Sequence, residues 1–123
     1  MYRTMLGGKI HRAKVTNIIT DYEGSIVIDK RLMHAAGIVP YEQVHVLDID
    51  NGSRFITYAI PSKHKETDWG EISVLGAAAH LVGIGDLVII LYYTLVDIGG
   101  HIPHWSPHVV HVNDYNIIVP ELL

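Results

Sequence analysis

The sequence predicts a compact, mainly β barrel. Three observations predict it: many short β-favouring segments, no more than two short helical stretches, and no internal repeat. Residues 15–20 form the first such segment, and residues 26–28 resume it after an interruption at Gly24-Ser25. Asp29 has the chemistry of a helix N-cap. It opens a short helix over residues 30–36, which Gly37 stops and Pro40 keeps from restarting. Residues 44–49 alternate only in part, and an Asp50-Asn51-Gly52 turn leads into residues 55–60. Strand periodicity there puts Arg54, Ile56 and Tyr58 on one face and Phe55, Thr57 and Ala59 on the other. Residues 61–71 are polar and read as an exposed loop with Trp69 folding back at its end. Residues 72–75 form another strand. Residues 76–82 read as a short helical turn or as a tight glycine-led loop, whose small side chains let a ligand approach the backbone closely. Residues 87–94 are apolar without a break, which predicts a core strand buried on both faces. Residues 109–112 and 117–119 finish the sheet.

A chain of 123 residues fits one domain, and 49% hydrophobic residues exclude a disordered one. A net charge of -4 gives no attraction to nucleic acid or to an anionic membrane. The charge is unevenly placed. All nine Lys and Arg lie within residues 1–65, which sum to +3 against six acids, whereas residues 66–123 carry seven acids and no Lys or Arg. Such polarity serves either an anionic substrate or complementary faces in an oligomer. No cysteine is present, so disulfides, thiolate metal sites and thiol nucleophiles are out of reach. The longest apolar run, residues 87–96, falls short of the roughly 20 needed to span a bilayer. Arg3, Lys9, Arg12 and Lys14 interrupt any leader-like stretch. The expectation is a soluble, cytoplasmic protein.

Chemistry concentrates in four blocks. Residues 1–25 contain Lys9-Ile10-His11-Arg12 and end in Tyr22-Glu23-Gly24-Ser25. Asn51-Gly52-Ser53-Arg54-Phe55-Ile56-Thr57-Tyr58-Ala59-Ile60, Gly76-Ala77-Ala78-Ala79-His80 and Gly85-Asp86-Leu87-Val88-Ile89-Ile90 follow in that order. From residue 1 to about residue 116 the chain thereby resembles the pyruvoyl-dependent aspartate 1-decarboxylases. The resemblance implies a double-psi β-barrel with short helices, assembled as a homotetramer with active sites between neighbouring subunits. It also implies a single domain, 1–123, that cuts itself between Gly24 and Ser25 into a short chain (1–24) and a pyruvoyl chain (25–123). The activity implied is conversion of L-aspartate to β-alanine and carbon dioxide, a supply for pantothenate and coenzyme A. Gly52-Ser53 is the internal control, a Gly-Ser pair that reads as an ordinary turn.

The chemistry of such a cut follows from the residue types. A serine hydroxyl can attack a preceding glycine carbonyl, because glycine has no side chain in the way and tolerates strained angles. The amide becomes an ester, elimination leaves a dehydroalanine, and hydrolysis leaves a pyruvoyl group. This built-in cofactor forms a Schiff base with a small amino-acid substrate and accepts the electrons left as carbon dioxide departs.

By resemblance, Lys9 and Arg54 bind substrate carboxylates; on their own they read as a solvated strand-end cation and a surface ion-pair partner. Arg54 has the planar fork of donors that a carboxylate fits. Tyr58, otherwise a half-buried strand aromatic, becomes the proton donor after decarboxylation. Thr57 is implied to assist self-processing by donating to the oxyanion formed when Ser25 attacks. His11 and Tyr22 flank the site, and Ala77 and Ala78 contribute backbone N–H groups to substrate. Where the family has an asparagine before its Gly-Ala-Ala-Ala run, this chain has Leu75, which removes an amide donor and acceptor. Three consequences stand open: slower aspartate decarboxylation, the same chemistry on another small α-amino acid, or an unprocessed, non-catalytic barrel acting as a binding module. Maturation is either spontaneous or assisted by a partner protein. The segment of residues 61–70 also reads as longer than the family's.

A metal-binding protein is the rival class. His101, His104, His108 and His111 are spaced by three, four and three, as on one helical face. Pro103 and Pro107 oppose that helix. Gly83-Ile84-Gly85 lacks the third glycine and following helix of a nucleotide loop.

Overall fold

The computed structural model describes residues 1–63, 68–99 and 104–120. Among them run β1 (Tyr2–Lys14), β2 (Asn17–Ile19), β3 (Ser25–Ile28), α1 (Lys30–Ala36), β4 (Gln43–Asp48), β5 (Arg54–Pro61) and β6 (Ile72–Leu75). A 3₁₀ helix, Ala77–Leu81, then precedes β7 (Leu87–Asp97), β8 (His108–Val112) and β9 (Ile118–Val119). The strands form one mixed sheet in the order β2-β6-β3-β5-β4-β7-β1-β8-β9. Among the described strands, three pairs are parallel (β2 with β6, β3 with β5, β1 with β8) and the other five are antiparallel. β1 passes into β2 through Val15 and Thr16 alone, yet the two strands stand six places apart in the sheet. The sheet therefore curls back on itself, as a barrel must. This mainly β arrangement fits the double-psi β-barrel.

The interior is aliphatic. Ile10, Ile26, Ile28, Leu32, Ile72 and Ile90 are essentially inaccessible to solvent. Helix α1 closes one end with Leu32, Met33 and Ala36. Its start is fixed by Asp29, whose Oδ1 accepts the Arg31 N–H at 2.8 Å, and its end by Gly37 at φ 77°. Both limits match those read from the sequence.

Three expectations need correction. The sheet begins with the thirteen-residue β1, not at residue 15. Its pattern is hidden by two register shifts against β7 and by Arg12 at φ 66°. Gly7 and Gly8 weaken a strand on propensity alone, but a Cβ on Gly7 would enter the Tyr92 ring and one on Gly8 would meet the Ala36 carbonyl oxygen. Second, the strand read over residues 15–20 contracts to β2, because the Val15 and Thr16 N–H groups turn to the carbonyls of Asp86 and Ile72. Third, β7 is buried on both faces only in its first half; beyond Tyr92 it continues to Asp97 with Tyr93 and Leu95 in solvent. The segment read as an exposed loop is anchored at both ends, by Pro61 in β5 and buried Ser62, and by Gly70 packed on Asn116. Trp69 is exposed at 44%. Residues 64–67 lie outside the described residues.

Candidate active site

β3 begins at Ser25, so the Gly24–Ser25 bond joins an exposed turn to a buried strand. Ser25 is 2% exposed and stands directly across from Leu75 in the antiparallel pair of β3 with β6. Its side chain shares a face with that of Val27, two residues on. Both line a pocket of about 280 Å³ together with Tyr22, Ile60, Lys63 and Leu75. Among the described residues no hydrogen bond fixes the Ser25 hydroxyl. Around Gly24 the position of a Cβ is open, with nothing within 4 Å, and its φ is not in the left-handed region. Neither space nor a positive φ therefore demands glycine at this position in the uncut chain.

The turn rests on Gly76. A Cβ at Gly76 would lie 2.7 Å from Gly24 Cα, 2.9 Å from Gly24 N and 3.1 Å from the Tyr22 carbonyl oxygen. Gly76 adopts φ 84°, ψ -154°, a region essentially closed to other residues. Its N–H donates to the Ile19 carbonyl at 2.8 Å. The backbone approach expected at this glycine therefore belongs to the chain itself. Helix Ala77–Leu81 follows, and its first bond runs from the Ala79 N–H to the Gly76 carbonyl. The Ala77 and Ala78 N–H groups precede that bond and have no partner within the helix. By contrast, Gly52 at φ 78° sits in open space and Ser53 donates its N–H to Asn51 Oδ1, an ordinary turn.

β5 runs parallel to β3 with Ala59 opposite Ile26, which places Tyr58 level with Ser25. Phe55 and Ala59 point inward, while Arg54 and Ile56 are exposed and Thr57 and Tyr58 half-buried, as strand alternation requires. The Tyr58 ring stacks on Tyr41, centroids 6.2 Å apart. Arg54 forms no ion pair among the described residues and lies four residues, roughly 13 Å, along the strand from Tyr58.

Neither Lys9 nor His11 lines the Ser25 pocket of its own chain. Lys9 pairs with Leu91 and Val109, and β5, β4 and β7 separate its strand from β3 in the sheet. His11 meets His111 edge to face at 5.6 Å, and its Nδ1 is buried without a partner. Burial, then the charges of Lys9, His111 and Arg12, hold the His11 imidazole below its ordinary pKa.

Sequence reasoning missed Lys63, which lines the Ser25 pocket, and the supporting role of Gly76. Lys63 resembled any loop cation. The left-handed backbone of Gly76 was signalled only by the glycine itself.

The histidine ladder does not form a helical face. His108 and His111 lie three apart on β8 and so point to opposite sides; His104 is exposed, and His101 lies outside the described residues. Among the described residues the one group of three potential ligands is Asp48, Asp50 and Asp86. No described helix is long and apolar enough to cross a membrane.

Residues 1–119 match the family model described as aspartate decarboxylase. The chain is 49% identical to an aspartate 1-decarboxylase of Carboxydothermus hydrogenoformans, over 97% of this chain and 91% of that protein. It is 48% identical to aspartate 1-decarboxylase 2 of Gloeobacter violaceus, over 97% and 92% of the two chains. Against the aspartate 1-decarboxylase of Syntrophus aciditrophicus it is 49% identical over 96% and 98%. A family match over residues 1–119, with 48–49% identity to these relatives over nearly the whole chain, makes it a member of the aspartate decarboxylase family.

Proposed function

We propose that the chain is a self-processing, pyruvoyl-dependent amino-acid decarboxylase that converts L-aspartate to β-alanine and carbon dioxide. The observation that carries this reading is the seat of the Gly24–Ser25 bond. Gly24 rests on the backbone of Gly76, and Ser25 lines a pocket with room for a small amino acid. The activity named for the relatives supplies the substrate.

In self-processing, Ser25 Oγ attacks the Gly24 carbonyl carbon while the Thr57 hydroxyl donates to the oxygen that gains charge. The peptide nitrogen leaves as the amine of Ser25, and an ester links the two halves. Loss of the Ser25 α-proton and of the ester oxygen frees residues 1–24 as a carboxylate. Water then displaces the nitrogen as ammonia and leaves a ketone at the new N-terminus. When formed, the pyruvoyl group supplies a carbonyl that holds the substrate amine and takes up electrons as carbon dioxide departs.

The remaining residues bind and deliver the proton. Arg54 presents two parallel donors to a carboxylate, a geometry that Lys9 complements as a point charge. The N–H groups of Ala77 and Ala78 orient the substrate beside Gly76. Tyr58, level with Ser25, returns a proton to the substrate carbon. Tyr22 walls the pocket. The absence of Lys9 and His11 from the Ser25 pocket of their own chain favours a homotetramer in which a neighbouring subunit brings both to the site. A cytoplasmic location, without membrane or nucleic-acid partners, goes with this reading.

The test is the denatured mass of freshly purified protein, followed by assay on L-aspartate. Two chains divided after Gly24, the larger reducible by borohydride and active on aspartate, are expected. Cleavage only on addition of cell extract would assign maturation to a helper. A full-length chain that persists in both conditions would overturn the proposal. Arg54→Ala is expected to abolish turnover and leave cleavage intact; retained turnover removes Arg54 from substrate binding.

A further inference from the structure

Away from the Ser25 pocket, carboxylate oxygens of Asp48, Asp50 and Asp86 all lie within 4.8 Å of one another. Three acids at this spacing repel unless something positive or a proton stands between them. Among the described residues no Lys, Arg or His forms an ion pair with any of the three. Backbone N–H groups instead hold one oxygen of each. Asp48 Oδ1 accepts from Asp50 N at 2.8 Å and Asn51 N at 3.1 Å, Asp50 Oδ2 from Leu87 N at 2.7 Å, and Asp86 Oδ2 from Gly83 N at 2.9 Å. Asp48 is 2% exposed, and its other oxygen, Oδ2, is buried with no hydrogen-bond partner. A buried carboxylate oxygen left without a donor is costly and calls for an explanation.

We propose that Asp48, Asp50 and Asp86 bind one divalent cation of the hard, oxygen-seeking class, such as calcium, manganese or magnesium. Oxygens around calcium lie about 2.3–2.6 Å from the ion, so ligand atoms up to roughly 5 Å apart fit a common centre. An all-carboxylate set without thiolate or imidazole disfavours zinc and copper. The ion would tie the β4–β5 turn to the Gly83–Asp86 turn that feeds β7. It would also steady the end of the Ala77–Leu81 helix, since Asn51 Nδ2 donates to the Leu81 carbonyl at 2.8 Å. Its role is therefore to stabilise the frame that carries Arg54 and Ala77.

The experiment is calorimetric titration of calcium, manganese and magnesium chlorides into chelator-stripped, full-chain protein, with thermal melts in parallel. One ion per chain and a melting temperature raised by several degrees are expected with at least one of the three. Asp50→Asn, at an exposed position, should fold normally and weaken binding at least tenfold. Asp48→Asn should melt no lower than the parent without metal and lose the metal response. No heat and no shift with any of the three, with a melting temperature that follows pH alone, would overturn the proposal and leave Asp48 and Asp86 sharing a proton. An undiminished response in Asp50→Asn and Asp48→Asn would overturn it equally.

Discussion

Replacing Gly76 by alanine tests whether the backbone seat of the Gly24–Ser25 bond matters. Two effects combine at this position. The backbone at φ 84°, ψ -154° is confined to glycine, and holding another residue there costs about 1–3 kcal/mol. The added Cβ would also sit 2.7 Å from Gly24 Cα, where ordinary contact begins near 3.4 Å, so the Tyr22–Gly24 segment must retreat by roughly 0.7 Å. Its neighbours there are backbone atoms, which yield less readily than the tip of a side chain. A displacement of about 1 Å in reacting groups costs on the order of a hundredfold in rate. Gly76→Ala is therefore expected to slow self-cleavage by about two orders of magnitude while lowering stability by no more than about 3 kcal/mol. Gly52→Ala separates the two effects, since Gly52 has φ 78° and nothing within 4 Å. It should lose stability and cleave at the parent rate. The assay is a time course of denatured mass, counting residues 1–24 released, beside urea unfolding of both variants. Parent-rate cleavage in Gly76→Ala would refute the reasoning, as would equal slowing in Gly52→Ala.

Other perturbations read other parts of the molecule. His11 has its pKa lowered, so the folded state resists protonating it; its contribution to stability is full above about 6.5 and falls as pH drops through the lowered folded value. His11→Gln should flatten the loss of melting temperature as pH drops below about 6.5, and an unchanged profile would show that His11 does not titrate against its neighbours Lys9, Arg12 and His111. Asn116, 2% exposed at φ 58°, accepts from Lys14 N at 2.7 Å and donates to the carbonyls of Lys14 and Gly70 at 2.8 and 2.9 Å. Asn116→Ala strands these groups and should cost about 3 kcal/mol in urea unfolding, whereas a loss under about 0.5 kcal/mol would show that these hydrogen bonds do not hold the fold. If Lys9 serves a neighbour's Ser25, mixed assemblies of Lys9→Ala and Ser25→Ala chains should recover activity at up to about a quarter of sites by random pairing. Mixtures no more active than the separate variants would place both residues in one chain's site.

Legibility from sequence followed the range of the physics involved. Helix α1 was readable because its limits are local: the Asp29 carboxylate reaches N–H groups two residues away, and Gly37 needs only its own φ. The β5 faces were readable for the same reason, since alternation is a property of the strand alone. β1 was not readable, because what makes it a strand lies far along the chain. Gly7 and Gly8 look like interruptions until Tyr92 and Ala36 occupy the space that side chains would have taken. The site divides in the same way. The Gly24-Ser25 pair, the Arg54 to Tyr58 stretch and the Gly-Ala-Ala-Ala run could be picked out as segments. That Leu75 faces Ser25 across the sheet and that Gly76 carries the Gly24 turn are facts of strand pairing. The asparagine expected before Gly76 would have stood beside the serine hydroxyl; here an apolar side chain does, 8% exposed. An apolar neighbour offers that hydroxyl no hydrogen bond. Under the proposed self-processing, polarising the Gly24 carbonyl falls to Thr57, and maturation in this chain is expected to depend on that one hydroxyl more than a site with an amide at position 75 would.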